Sequence, residues 1–149
     1  MLDETDRMLL SLLKEDARRK YTELGEAVHL SSPAVYERVK KLERAGVIKR
    51  YTIDIDPEAL GLALSAFVRL HISHKPCEEM ALALQHYPEV EECYSSAGEE
   101  SMILKVRTAT PSALESFLDC IRQMPGIERA QTSIILNTNF ERVNIPQDK

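Results

Sequence analysis

The sequence predicts an α+β fold in two parts: an N-terminal three-helix helix-turn-helix (winged-helix-like) domain and a C-terminal ferredoxin-like βαββαβ domain. The first 50 residues carry apolar side chains at helical spacing in three runs separated by short turns. From residue 62 onward, stretches that alternate with period two are interleaved with two helical stretches in the order β-α-β-β-α-β. We therefore expect domains over residues 1–50 and 62–149, joined by a connecting strand and linker over 51–61.

The first helix is predicted over Leu2–Ala17. Its first turn is acidic, and negative charge favours a helix N-terminus through the helix dipole. Apolar residues recur on one side of it and form a stripe that can be buried: Met8, Leu9, Leu12 and Leu13.

The second helix is predicted to begin after Thr22, whose hydroxyl is a suitable N-cap, and to end near Val28. His29 and Leu30 then form the turn to the third helix. We expect Ser31 or Ser32 to cap that helix.

Pro33 suits the first position of the third helix, where a missing N–H costs nothing. Three apolar residues at i, i+4 and i+7 form its buried stripe: Val35, Val39 and Leu42. Gly46 is placed to end the helix in a left-handed conformation, after which Val47 and Ile48 begin an extended run.

Positive charge is concentrated between Pro33 and Tyr51. Six basic residues stand there against two acids: Arg38, Lys40, Lys41, Arg44, Lys49 and Arg50 against Glu37 and Glu43. Such a cluster is typical of a DNA-binding face, although a solvated amphipathic helix has the same pattern. Because the cluster follows a two-helix turn, we predict that this helix enters the major groove of double-stranded DNA.

The overall charge of −5 is unevenly distributed along the chain. Residues 1–51 contain 11 basic and 9 acidic side chains, whereas residues 52–149 contain 8 and 15. A basic head on an acidic body fits a DNA-binding protein whose second half has another role. No long apolar run or basic, apolar N-terminal leader is present, so we expect a cytoplasmic protein without a membrane span.

The cysteines and histidines do not predict a metal site or a disulfide framework. Cys77, Cys93 and Cys120 are widely spaced and odd in number, which fits reduced thiols. His71, His74 and Cys77 form an HxxHxxC pattern, but residues three apart on a strand face opposite sides of the sheet. We therefore expect no metal and no cofactor.

The connecting strand is predicted over residues 51–56, and Pro57 ends it. In the next strand, Phe67, Arg69 and His71 face away from a buried stripe, which consists of Ala66, Val68, Leu70 and Ile72. Helices follow over Pro76–His86 and 111–124, and strands over Val90–Ser96, Met102–Thr108 and Ile127–Leu136. Two helices cover only one face of such a sheet, so we expect the other face to pack against a second copy.

The stretches LDETDRMLLSLLKEDAR and ELGEAVHLSSPAVYERVKKLERAGVIKRYTIDIDPEALG resemble the Lrp/AsnC ("feast/famine", leucine-responsive) transcription regulators of bacteria and archaea. The resemblance runs through essentially the whole chain. It implies an N-terminal helix-turn-helix domain and a C-terminal ferredoxin-like domain that senses amino acids. It also implies homodimers that assemble into tetramers, octamers or other rings.

The resemblance places the recognition helix over Ser32–Ala45. It implies contacts to base edges or sugars near the N-terminus of this helix, from Ser32, Pro33, Ala34 and Tyr36. Arg38, Lys40 and Lys41 would mainly hold phosphates, with Arg44 on the same basic arc. Phosphate contacts set affinity and register, and base contacts set sequence preference.

The amino-acid effector is expected at the loop Gly98-Glu99-Glu100-Ser101-Met102. Members that respond to amino acids commonly carry Gly-x-Tyr-Asp there, and their Asp suits an effector's ammonium group. Here Glu100 and Ser101 stand at the Tyr and Asp positions. Glu99 or Glu100 could replace that charge, with Thr132 and Ser133 as neighbouring polar groups. The alternative is a solvated loop tip.

Three other functions remain open at this stage. An effector-independent, DNA-bending architectural protein is favoured by Ser101. A stand-alone ligand sensor with a vestigial DNA-binding head is the second. The third is a tetrapyrrole decarboxylase sharing the two-domain fold, with His71 and Arg69 as candidate residues. Because the chain shows no nucleophile–base pair or phosphate loop and an enzyme has no need of a basic recognition helix, we do not expect an enzyme.

Overall fold

The computed structural model describes residues 2–74 and 76–146, so the predicted domain ends at residues 1 and 149 lie outside them. The described residues form five helices and four strands in the predicted order. They are α1 (Glu4–Glu15), α2 (Tyr21–Val28), α3 (Ser32–Arg44), β1 (Leu64–Ile72), α4 (Cys77–Leu84), β2 (Val90–Ser95), β3 (Met102–Thr108), α5 (Pro111–Arg122) and β4 (Ile127–Ile135). The predicted fold class is confirmed.

The chain divides into two compact units. The first contains the residues up to Asp54 together with the segment from Glu141, and the second is Ile55–Phe140. The C-terminal segment was predicted to belong to the second domain. It contacts α1 through a hydrogen bond that Arg7 donates to the carbonyl oxygen of Pro146 at 3.0 Å. The boundaries 1–50, 51–61 and 62–149 remain a proposal for the functional domains.

Helix α1 begins at Glu4 rather than Leu2 because a capping box precedes it. The Asp3 carboxylate accepts the N–H of Asp6 at 2.8 Å, and the Asp6 carboxylate accepts the N–H of Asp3 at 3.3 Å. Leu9 is fully buried against α2 and α3, whereas Met8 is exposed, so the predicted stripe is narrower than expected.

Helix α2 begins at Tyr21, one residue before the predicted cap. Lys20 occupies the N-cap position without a side-chain hydrogen bond, and Thr22 lies inside the first turn. The helix ends at Val28 as predicted, and His29 follows in the left-handed conformation with φ 56°.

Helix α3 is capped by Ser31, whose Oγ accepts the N–H of Ala34 at 3.4 Å. Ser32 is therefore the first helical residue, and Pro33 is the second rather than the first. Three side chains are buried as predicted: Val35, Val39 and Leu42. Val35 and Val39 join Leu9 and Leu24 in the core of the first unit.

The predicted connecting strand over residues 51–56 and the extended run from Val47 are not strands here. A strand needs a hydrogen-bonded neighbour, and within the described residues this stretch has none. Its apolar side chains remain largely exposed, and Ile53 and Ile55 illustrate this. The apolar residues alternate as predicted, but among residues 2–74 and 76–146 this stretch pairs with no strand.

The second unit is an antiparallel sheet in the order β2-β3-β1-β4. The side chains that point to the helices form its core, and those of α5 complete it: Ala66, Val68, Leu70, Leu104, Val106, Leu114, Phe117 and Ile121. On the opposite face Phe67 stays 43% exposed. The predicted inward and outward sides of β1 are therefore confirmed.

Candidate nucleic-acid interface

Helix α3 presents one arc to solvent. Because 3.6 residues complete a turn, the buried stripe of α3 leaves the opposite side outward. The outward positions that are exposed are Pro33, Tyr36, Glu37, Lys41 and Arg44. Ser32, Ala34, Arg38 and Lys40 are half-buried. The structure thus brings four of the eight predicted DNA-contacting residues onto one exposed surface.

Lys41 and Arg44 are the most available cations on this arc. Across the described residues, Lys41 has no hydrogen-bond or ion-pair partner. Arg44 lies 3.5 Å from the Glu37 carboxylate, but both side chains are 70% exposed. Exposed ion pairs of this kind are weak and are screened by salt, so Arg44 can exchange Glu37 for a phosphate.

Lys40 belongs to a small network at the edge of the arc. Its Nζ donates to Glu43 at 2.7 Å and lies 5.8 Å from the centre of the Tyr36 ring. The hydrogen bond to Glu43 raises the pKa of Lys40. Tyr36 in turn packs edge-to-face on Tyr21 with ring centres 5.6 Å apart. This contact supports the Tyr36 side chain from α2.

The Tyr51 hydroxyl donates to the other oxygen of Glu43 at 2.9 Å. Burial and this bond to a carboxylate raise the pKa of Tyr51 to about 12. The segment that follows α3 is thereby tied back to the helix through Glu43.

Arg38 does not lie on the outward arc. Its NH1 nitrogen is 2.7 Å from Asp3 Oδ2 and 2.8 Å from Asp6 Oδ1. The expectation that Arg38 mainly holds phosphate stays a prediction, and in this structure its guanidinium is paired with the two aspartates. Asp6 lies 32 positions from Arg38 in the sequence, so no local pattern links the two residues.

The loop that carries the effector prediction lies between β2 and β3. Ser101 is fixed to β1: its N–H donates to the Leu70 carbonyl at 2.8 Å and its Oγ accepts the N–H of Ile72 at 3.1 Å. Met102 is completely buried in the core, so it does not line a surface site. Gly98 is exposed.

Both acids of this loop lie beside arginines. Glu99 accepts a hydrogen bond from Arg129 at 2.7 Å, which lowers the pKa of its carboxyl. Glu100 is 4.0 Å from Arg69 Nε, and the same guanidinium donates to Ser133 Oγ at 3.0 Å. Arg69 and Arg129 were not predicted as part of the effector site. Their position opposite the loop depends on strand register, which the sequence does not reveal.

Thr132 and Ser133 separate onto opposite faces of the sheet. Ser133 pairs with Phe67 on the open face, whereas Thr132 pairs with Val68 on the helix-covered face. Only Ser133 therefore joins the cluster around the loop.

Metal-ligating side chains do not converge in the described part of the chain, where no three His, Cys, Asp or Glu residues could hold an ion. The Nε2 of His71 instead faces Glu128 at 3.6 Å. Among the described residues, none of the helices has both the length and the apolar character needed to cross a membrane.

The chain matches two family models. The AsnC-type helix-turn-helix domain matches residues 2–43, and the Lrp/AsnC ligand binding domain matches residues 65–145. The chain is 43% identical to the HTH-type transcriptional regulator LrpA of Mycobacterium tuberculosis, over 97% of each chain. It is 37% identical to the HTH-type transcriptional regulator FL11 of Pyrococcus horikoshii, over 97% of this chain and 96% of that protein.

Solved structures agree with these relatives. A feast or famine regulatory protein from M. tuberculosis complexed with L-methionine superimposes with a TM-score of 0.91 and 43% identity. The match covers 98% of this chain and 100% of that one. Matches to regulators do not favour the alternative of a tetrapyrrole decarboxylase. The chain belongs to the Lrp/AsnC family and is a DNA-binding transcriptional regulator of that type.

Proposed function

We propose that this regulator reads double-stranded DNA through the outward arc of α3. The observation that carries the proposal is the position of Lys41: it is exposed, unpaired among the described residues, and flanked by Arg44 on the side opposite the buried stripe. Such an arrangement lets a helix lie in the major groove with its basic side chains directed at phosphates.

Within this proposal the contacts divide by position along α3. Residues at the N-terminus of the helix approach base edges or sugars: Ser32, Pro33, Ala34 and Tyr36. The later basic residues contact phosphates: Lys40, Lys41 and Arg44. Tyr36 is already oriented by its ring contact with Tyr21, so little side-chain freedom is lost when it binds.

We propose that the protein acts as a homodimer formed through the open face of the sheet, with tetramers or octamers as higher assemblies. Phe67 and Tyr94 remain 43% and 53% exposed on that face. Large apolar side chains grouped on one surface favour contact with another protein, and a second copy offers a self-complementary partner. A dimer would present two α3 helices to successive major grooves, about 34 Å apart.

We propose an amino-acid effector at the loop between β2 and β3. The support is the similar regulator that was solved in complex with L-methionine. In this chain, Arg69 and Arg129 could receive the carboxylate of an amino acid, and Glu99 or Glu100 its ammonium group. Binding would require the existing Arg–Glu pairs to rearrange. The proposal includes no other cofactor and no catalytic activity. We also propose that the protein acts in the cytoplasm.

A second candidate function is effector-independent DNA bending. One observation favours it: the Ser101 hydroxyl, which stands at the family's Asp position, is already bonded to the backbone of Ile72. A ligand that reached Ser101 would have to compete with this bond. Isothermal titration calorimetry with the common amino acids separates the two candidates. Heat of binding supports the effector, and its absence up to millimolar concentration supports the architectural role.

The proposal that α3 binds DNA is tested by replacing Lys40 and Lys41 with Ala. We expect fluorescence anisotropy to show a large loss of affinity for DNA from upstream of the protein's own gene. Size-exclusion chromatography with light scattering should show an unchanged oligomeric state, because both residues lie outside the sheet unit. Unchanged DNA affinity would contradict the proposal. A stand-alone sensor would give that result.

A further inference from the structure

Arg38 occupies the flank of α3 that faces α1. It stands three residues after Val35 and four before Leu42, both of which are buried. That spacing places it beside the buried stripe rather than on the outward arc. Its guanidinium reaches the N-terminus of α1, where NH1 meets Asp3 and Asp6 at 2.7 and 2.8 Å.

The two aspartates require a cation in this position. Asp6 is only 6% exposed, and a buried carboxylate is costly unless it is paired. The capping box also brings the Asp3 and Asp6 carboxylates close together, which is unfavourable for two like charges. Arg38 offsets both costs, and the hydrogen bonds that it donates to these carboxylates raise its pKa.

The charge balance argues against a phosphate contact at this position. One guanidinium faces two carboxylates, so the cluster of Asp3, Asp6 and Arg38 carries a net negative charge. A phosphate that approached Arg38 would be repelled by both aspartates. Lys41, by contrast, has no hydrogen-bond or ion-pair partner within the described residues.

We propose that Arg38 is a positioning residue: it bridges α3 to the capping box of α1, sets the orientation of the recognition helix, and makes no phosphate contact. This inference rests on the proposed DNA binding by α3 and refines it. It separates the basic residues of α3 into one that holds the helix in place and others that meet DNA.

The test compares Arg38→Gln with Lys41→Gln, two variants that remove one positive charge each. Affinity for the upstream DNA is measured by anisotropy over a range of salt concentrations. Lys41→Gln should lower the slope of log affinity against log salt by about 0.9, as expected for one lost phosphate contact. Arg38→Gln should leave the slope unchanged and lower affinity about tenfold at every salt concentration, because the helix is less well held.

Thermal unfolding supplies a readout that does not depend on DNA. Arg38→Gln and Asp6→Asn should each lower Tm, and the double variant should lower it by less than the sum. Arg38→Lys keeps the charge on a shorter-reaching side chain and provides a check if Arg38→Gln does not fold. It should lower Tm while leaving the salt slope unchanged.

Two results would overturn the inference. One is an Arg38→Gln variant that loses as much salt slope as Lys41→Gln at unchanged Tm. The other is additivity of Arg38→Gln and Asp6→Asn in thermal unfolding. If the wild-type protein shows no salt-dependent DNA binding, the proposed function fails instead, and coupling between Arg38 and Asp6 would still support the bridge.

Discussion

Helix α3 and the loop between β2 and β3 both carry a cluster of charged residues. The two clusters differ in whether their side chains have partners of opposite charge. On α3, Lys41 faces solvent without a partner among the described residues. In the loop, Glu99 and Glu100 lie beside Arg129 and Arg69. Where the fold already pairs the charges of a motif, a ligand must displace those partners before it can bind.

The same contrast exists within α3. Arg38 and Lys41 are three residues apart, but one faces two aspartates of α1 and the other faces solvent. The orientation of the helix decides which of them can meet DNA. Changes that alter this orientation should therefore have larger effects than changes to the exposed pairs of the loop.

The largest effect is expected from Gly25→Ala, which disturbs the turn before α3. A Cβ at this position would lie 2.4 Å from the carbonyl oxygen of Leu30, a backbone atom that cannot rotate away. Alanine favours a helix over glycine by about 1 kcal/mol. The overlap outweighs this gain, and we expect a net loss of about 1–3 kcal/mol in the free energy of unfolding.

Chemical denaturation of Gly25→Ala measures this loss. Gly46→Ala is the matched control, because a Cβ there meets no atom within 4 Å and only the positive φ of 69° is unfavourable. Equal stability of Gly25→Ala and wild type would show that the turn is not closely packed on Gly25.

The next effect is expected in the loop, from Ser101→Ala. The substitution leaves the N–H of Ile72 without its 3.1 Å acceptor, and loss of such a bond costs about 1–2 kcal/mol. Ser95→Ala, at an exposed position of β2, provides a control that should change stability little. Identical denaturation midpoints for the two variants would refute the anchoring role of Ser101.

A smaller effect concerns the titration of Asp3. The N–H of Asp6 first, and the Arg38 guanidinium second, lower the pKa of this carboxyl in the folded protein. The stabilisation linked to the ionised form is therefore present above the unfolded pKa and is lost as the pH falls through the folded pKa.

Carboxyl chemical shifts followed by NMR against pH give the pKa of Asp3 directly. In Arg38→Gln it should rise toward its ordinary value without reaching it, since the N–H of Asp6 still donates. A pKa unaffected by the substitution would mean that the ion pair does not persist in solution.

The smallest effect is expected from Glu99→Gln. The pair with Arg129 is exposed on both sides, and water replaces its interactions at little cost. The Tm should stay within experimental error of the wild-type value. A clear drop in Tm would mean that the ion pair between Glu99 and Arg129 stabilises the loop, which would contradict this expectation.

Much of this fold follows from short-range patterns. The alternation of Ala66, Val68 and Leu70 with Phe67 predicted both faces of β1, and β3 has the predicted bounds Met102–Thr108. Those patterns depend only on the period of a strand. The stretch over residues 51–56 has the same period, but no strand lies beside it in the described part of the chain.

The site was less predictable because it depends on contacts between distant residues. The bridge from Arg38 to Asp6 spans 32 positions. The position of Arg129 beside Glu99 depends on how β4 pairs with β1. Alternation alone could have shown that Thr132 and Ser133 face opposite sides of the sheet, but not which of them faces the loop.

The central claim, that the outward arc of α3 holds DNA phosphates, is tested most directly by the salt dependence of DNA binding. The measurement compares wild type with the Lys41→Gln/Arg44→Gln double variant on DNA from upstream of the protein's own gene. We predict steep salt dependence for the wild type and a slope reduced by about 1.8 in the double variant, for two lost phosphate contacts. Equal slopes for the two proteins would contradict the account.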